Sequence, residues 1–163
     1  MQLTYRLEIA LGKLYTAFYN EQLDPENCCH CAVGNICDNI DAWKHFTDIH
    51  GSVKLNYLGR LHATLGKRIN GYTPLELLSI EASFLKGCGY RLTSRNHLLK
   101  PAPVIDKEMM FKGLCAAIDY LCALHVTGSV PFGTVSTRAG AITACTSKFS
   151  VEIHGKEAHS ARP

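Results

Sequence analysis

Apolar residues recur three and four positions apart through most of the chain, then switch to alternate positions near its end. Leu3, Leu7, Leu11, Leu14 and Phe18 fall on one face of an amphipathic helix that ends near Asn20, ahead of the breaker stretch at Asp24 and Pro25. Pro25 followed by Glu26 suits a helix start, and a short helix is expected through Ala32 to Ile36, weakened by Gly34. The chain turns near Gly51, and Leu55, Leu58, Leu61, His62 and Leu65 then return to helical spacing. The strongest local signal is GYTPLELLSIEASFLKGCGY. Thr73 and Glu76 form a capping box around Pro74, and Gly87 or Gly89 supplies the left-handed stop. Its expected stripe is Leu75, Leu78, Ala82 and Leu85, widened by Leu77, Ile80 and Phe84.

A polar loop with Pro101 and Pro103 follows, since proline cannot continue a helix. Asp106 then caps a helix from Lys107 to about Leu124, with Met110, Leu114, Ala117, Ile118 and Leu121 on its core face. In the tail, Phe149, Val151 and Ile153 alternate with Ser150, Glu152 and His154, the period of a half-buried strand. The pattern predicts a mainly α protein: a small helical bundle followed by a short β-patterned C-terminal tail. The change of character near Ala123 divides the chain into a Cys-containing helical domain, residues 1–122, and a segment covering 123–163.

Composition narrows the partners more than the chemistry. The chain has 163 residues and a net charge of +3, with Lys and Arg scattered rather than clustered. That leaves no electrostatic footprint for a nucleic-acid partner. No stretch is expected to serve as a membrane helix, so membrane insertion is not expected. Arg6, Glu8 and Lys13 interrupt the N-terminal apolar residues, unlike a secretory signal, and the expectation is a cytoplasmic protein. Homo-oligomerisation stays open.

Eight cysteines in a reducing compartment point to thiols or metal ligation rather than disulfides. Cys115 and Cys122 fall inside an apolar helical pattern and read as small buried hydrophobes. Cys28 and Cys31 form a CxxC pair whose spacing lets two thiolates reach one tetrahedral metal, and Cys37 follows. Zinc is the candidate cofactor, with His45 or His50 able to complete the set. A redox dithiol and a set of packed, reduced cysteines are the alternatives. Trp43 and Phe46 are expected in the core, with His45 and His50 as surface or capping groups and His62 partly buried. No GxxxxGK, GxGxxG or GxSxG stretch occurs, and no residue is assigned a catalytic role. Glu76 is needed for its cap, so Glu76 and Glu81 do not suggest a carboxylate pair.

Two resemblances add to this. From Ala123 to Pro163 the text ALHV, PFGTVSTRAGAITA and FSVEIHGKEAHSARP resembles the zinc-dependent amidohydrolase family that includes hippurate hydrolase. The resemblance implies that His125 is a ligand of a dinuclear metal site. It also implies that His159 belongs to a lid and contacts substrate, an N-acyl amino acid. The family's HxCGHD-type ligand motif, its paired Glu and its last metal-binding His are not found here, so the chain reads as truncated or chimeric. Residues 1–122 carry CxxCAVGN, SVKLNYLGRLH, GYTPLELLSIEASFLKGCGY and GLCAAIDYLC. That part resembles a family of small bacterial proteins associated by name with the sodium-translocating NADH-quinone reductase. The association implies electron transfer, but Cys28, Cys31 and Cys37 do not reproduce the plant-type cluster spacing. The expected function is a helical protein without self-sufficient enzymatic activity, dependent on metal or thiols through its Cys cluster. The alternatives are a metal-dependent amidohydrolase and an electron-transfer component of a quinone reductase.

Overall fold

A computed structural model describes residues 2–102 and 104–127, which lie in one compact unit, Met1–Phe132. The protein is mainly α. The described elements are α1 (Gln2–Tyr19), α2 (Ala32–Ile36), a 3-10 helix (Ala42–Phe46), α3 (Tyr57–Thr64), α4 (Pro74–Gly87), β1 (Arg91–Leu92), β2 (Leu98–Leu99) and α5 (Lys107–Thr127). The readings made for the tail beyond Thr127 lie outside the described residues.

Helix α4 is the centre of the unit. Its N-terminus carries both halves of the capping box: Thr73 Oγ1 accepts from the Glu76 amide at 3.3 Å, and Glu76 Oε2 accepts from the Thr73 amide at 2.7 Å. Its C-terminus closes as a Schellman motif, with Tyr90 N–H on Leu85 O at 2.9 Å and Gly89 N–H on Lys86 O at 3.0 Å. Gly89, with φ +89°, is the left-handed residue, not Gly87. Leu77, Leu78, Ile80, Ala82, Phe84 and Leu85 are all buried, whereas Leu75 is exposed. A helix apolar on this many sides must be covered on this many sides, and α5, α2, α3 and the 3-10 helix pack around it.

Gly87 serves the crossing with α5. A Cβ there would lie 2.7 Å from Gly113 Cα, and one on Gly113 would collide with Cys88 Sγ. Gly87 thus lets the α4 backbone reach that of α5, and Gly113 leaves room for the Cys88 side chain. Asp106 Oδ1 caps α5 through the Met109 amide at 2.8 Å. Leu114, Ala117, Leu121 and Leu124 are buried, while Met110, Ile118, Cys115 and Cys122 are only half-buried. The helix runs without a break through Ala123 to Thr127. Lys107–Val126 is long and apolar enough to cross a membrane, contrary to expectation. Its buried face on α4 and α1 gives that hydropathy a second explanation, as a core helix.

Three other expectations change. Pro25 and Glu26 lie in a turn, and the helix begins only at Ala32. The stretch read as a polar loop contains an antiparallel hairpin, Arg91 opposite Leu99 and Leu92 opposite Leu98, turned through Asn96 at φ +60°. The α3 leucines are not a core stripe: Leu58, Leu61 and Leu65 are 39%, 41% and 59% exposed. Helix α3 packs instead through Gly59, where a Cβ would lie 2.5 Å from the Phe46 carbonyl oxygen, and through His62, whose ring stands 5.0 Å from that of Phe46.

Candidate functional site

The cysteine-rich loop is anchored onto α4 by one buried carboxylate. Glu81 projects from α4 into the core and is 1% exposed. Its Oε2 accepts from the Val33 amide at 3.2 Å, and its Oε1 lies 3.3 Å from His50 Nε2. The His50 ring leans on Trp43, centroids 5.9 Å apart. Cys31 is the N-cap of α2, its Sγ accepting from the Gly34 amide at 3.3 Å while its thiol faces the Cys28 carbonyl at 3.5 Å. A sulfur thus replaces the usual Ser or Asp oxygen at this cap. Trp43 Nε1 donates to the same Cys28 carbonyl at 3.1 Å. Asn35 Nδ2 donates to His30 O at 2.7 Å and to Cys31 O at 2.9 Å, holding the loop to the helix it precedes.

These contacts decide the chemistry of the sulfurs. Burial lifts the Cys31 thiol well above the ordinary thiol range, and the Glu81 charge lifts it further. Burial also raises Cys28, again with Glu81 adding to it. Burial pushes Cys37 up to about 12. Thiolate, not thiol, is the nucleophile and the metal ligand. Burial and the Glu81 charge therefore both disfavour the thiolate at Cys28 and Cys31.

The structure brings Cys28 and Cys31 into one turn and leaves Cys37 at the opposite end of α2, beside Lys13 and Asp38. His45 is exposed, and His50 is engaged with Glu81. Among the described residues no three His, Cys, Asp or Glu side chains stand together as a metal ion requires. Zinc at Cys28, Cys31 and Cys37 therefore has no support in this arrangement. His125 lies in the last turn of α5, and its Nδ1 is buried without a hydrogen-bond partner. His159 lies outside the described residues. One unpartnered nitrogen does not make up the hydrolytic metal centre that the amidohydrolase resemblance implies, because such a centre needs about three protein ligands around an open position.

Sequence reasoning missed Glu81 and its link to His50. The signal was present. Glu81 stands four residues after Leu77 and three after Leu78, so it falls on the apolar face of α4, where a carboxylate must find partners.

The comparisons with known proteins bear on a limited part of the chain. It is 35% identical over 57 residues to thermostable carboxypeptidase 2 of Saccharolobus solfataricus, covering 35% of this chain and 14% of that protein. It is 40% identical over 61 residues to the N-acetyldiaminopimelate deacetylase of Bacillus velezensis, and 38% identical over 61 residues to that of Bacillus subtilis, covering 37% of this chain and 16% of each deacetylase. The chain thus spans about one seventh of the length of the curated relatives it matches. These matches are longer than the segment from Ala123 to Pro163, so part of each lies before Ala123. No protein-family profile matches the chain, and no solved structure does. The chain has partial similarity to enzymes of amidohydrolase type. None of the relatives named is a component of an NADH-quinone reductase.

Proposed function

We propose that the C-terminal part of this chain is a segment of an amide-bond hydrolase acting on N-acyl or peptidyl amino acids, and that the chain by itself does not complete the reaction. The supporting observation is the 35–40% identity over 57–61 residues to carboxypeptidases and deacetylases. Those names share one chemistry. Water adds across an amide next to an amino acid: the carbonyl carbon gains the hydroxyl, the C–N bond breaks, and the nitrogen takes the proton. In this reading His125 supplies one nitrogen to a metal-ligand set completed by residues this segment does not contain. His159 contacts the substrate through the GKEAHSARP motif. The unpartnered Nδ1 of His125 favours this role, because a buried polar atom without a partner costs about 1–3 kcal/mol. A ligand on that nitrogen would remove the cost.

The experiment is a graft. The matching segment of this chain replaces its counterpart in the Bacillus subtilis deacetylase, and bound zinc and release of acetate from N-acetyldiaminopimelate are both measured. The graft should retain metal and activity, and the same graft carrying His125→Ala should lose both. A His125→Ala graft as active and as metal-loaded as its parent would refute the assignment. The purified chain alone, given zinc or manganese, should release no amino acid above the buffer rate. Turnover that disappears with His125→Ala would show that the chain is self-sufficient.

A further inference from the structure

A second cavity shares no lining residue with the cysteine loop or His125. The loop at Gly51–Lys54, the C-terminal turn of α4 and the β1–β2 hairpin enclose a cavity of about 510 Å³. Its floor is apolar, built from Val53, Ala82, Leu85 and Leu98. Gly51 brings the loop down onto that floor: it sits at φ +83°, and a Cβ there would lie 3.1 Å from both Leu85 and Leu98. The size is that of a small-molecule pocket.

Its charges set it apart. Lys54, Lys86 and Arg91 line it, one from each of the three elements. None of them is in an ion pair among the described residues. The negative end of α4 accounts for Lys86, but Lys54 and Arg91 have no such partner. Other cavities differ. Beside α1, a cavity of about 770 Å³ is lined by Arg6, Lys13 and Arg68, and each of those is paired, with Glu76 or Asp38. The cavity of about 430 Å³ near Pro25 has Lys100 paired with Glu26.

We propose that this cavity binds a small amphipathic carboxylate, its apolar body on the Leu85–Leu98 floor and its head among Lys54, Lys86 and Arg91. Three exposed cations around an apolar floor match a ligand with both characters. A purely polar anion would leave the floor wet, and a neutral apolar ligand would leave the cations unused. Walls on three sides favour a free acid over the same headgroup in a lipid surface.

The probe is octanoate, with octanol as its uncharged counterpart, titrated into the full chain and followed by calorimetry and by amide shifts of Gly51, Ser52, Arg91 and Leu98. Octanoate should bind and shift those amides, and octanol should bind at least about tenfold more weakly. Each of Lys54→Gln, Lys86→Gln and Arg91→Gln should weaken octanoate by about two- to fivefold, the range of an exposed ion pair. The triple variant should lose more than about tenfold while unfolding at the wild-type denaturant concentration. Lengthening the acid from butyrate to octanoate should tighten binding by about two- to fourfold per methylene. Equal affinity for octanol and octanoate, or a triple variant that binds as the wild type does, would overturn the proposal. So would octanoate causing no shift at these amides, or binding confined to phosphatidylglycerol vesicles.

Discussion

Replacing Gly34 by alanine should unfold this protein more easily, although alanine is the better helix former. A Cβ at position 34 would lie 2.5 Å from the Cys29 carbonyl carbon and oxygen and closer still to the Cys28 carbonyl oxygen. All three are backbone atoms, so relief requires the Cys28–Cys29 loop to move. That movement pulls the Cys28 carbonyl away from Trp43 Nε1 and from the Cys31 thiol. Forcing extra volume into a packed site costs ~1–3 kcal/mol. Two weakened hydrogen bonds add ~1 kcal/mol each, and helix propensity returns at most ~1 kcal/mol. The net loss is about 2–4 kcal/mol. Gly12 is the control, since it lies on α1 with nothing within 4 Å of its would-be Cβ. Gly12→Ala should therefore stabilise, by up to ~1 kcal/mol. Urea unfolding followed by the fluorescence of Trp43, the sole tryptophan, reads both stability and the environment of the displaced carbonyl. A Gly34→Ala protein within ~1 kcal/mol of wild type, with unchanged tryptophan emission, would refute the reasoning.

Removing the Glu81 carboxylate by Glu81→Ala leaves the Val33 amide buried without an acceptor and should cost about 2–3 kcal/mol in the same unfolding assay. Glu81→Gln keeps an acceptor and should cost less than half of that, while easing deprotonation of Cys31 and Cys28, read as faster alkylation by iodoacetamide. Stability should fall in alkali, because burial pushes both Cys37 and Cys88 up to about 12. The unfolded chain loses these protons near the ordinary thiol value while the folded chain keeps them. The stabilisation is therefore complete below about pH 8.5 and is lost at about 1.4 kcal/mol per pH unit for each thiol until the pH reaches the folded value. Urea midpoints at pH 8 and pH 10.5 measure the slope, and a Cys37→Ala, Cys88→Ala double variant should make it shallower, the buried Cys31 thiol keeping part of it.

What could be read from the sequence was local. The capping box at Thr73 and Glu76 and the Asp106 cap of α5 each involve residues within three positions of one another, and the structure has both. The α3 leucines have perfect helical spacing and still face outward. Periodicity finds a stripe but not which side of the helix meets its neighbour, and here Gly59 gives the closer approach to Phe46. The hairpin was hidden because strands of two residues have no period to detect. The Glu81 site joins residues 31–33, 50 and 81, and only folding brings them together. Its electrostatics favour the packed, reduced alternative for the CxxC pair: the same buried carboxylate that anchors the loop opposes the thiolates that metal or redox chemistry would use.

The close crossing at Gly87 and Gly113 makes chain length, as well as residue identity, a constraint. Helix α5 starts from a fixed cap at Asp106 and must present Gly113 to Gly87 seven residues later. One residue inserted between them would turn everything downstream by about 100°. Gly113 would leave the crossing, a bulkier neighbour would enter it, and Leu114, Ala117 and Leu121 would rotate off α4. The same insertion in the exposed turn at Ser94–Asn96 only lengthens a loop, at a small entropic cost. Insertions and deletions should therefore be tolerated between the hairpin strands and excluded between Asp106 and Gly113, a boundary that a scan of single-residue insertions would locate to within one helical turn.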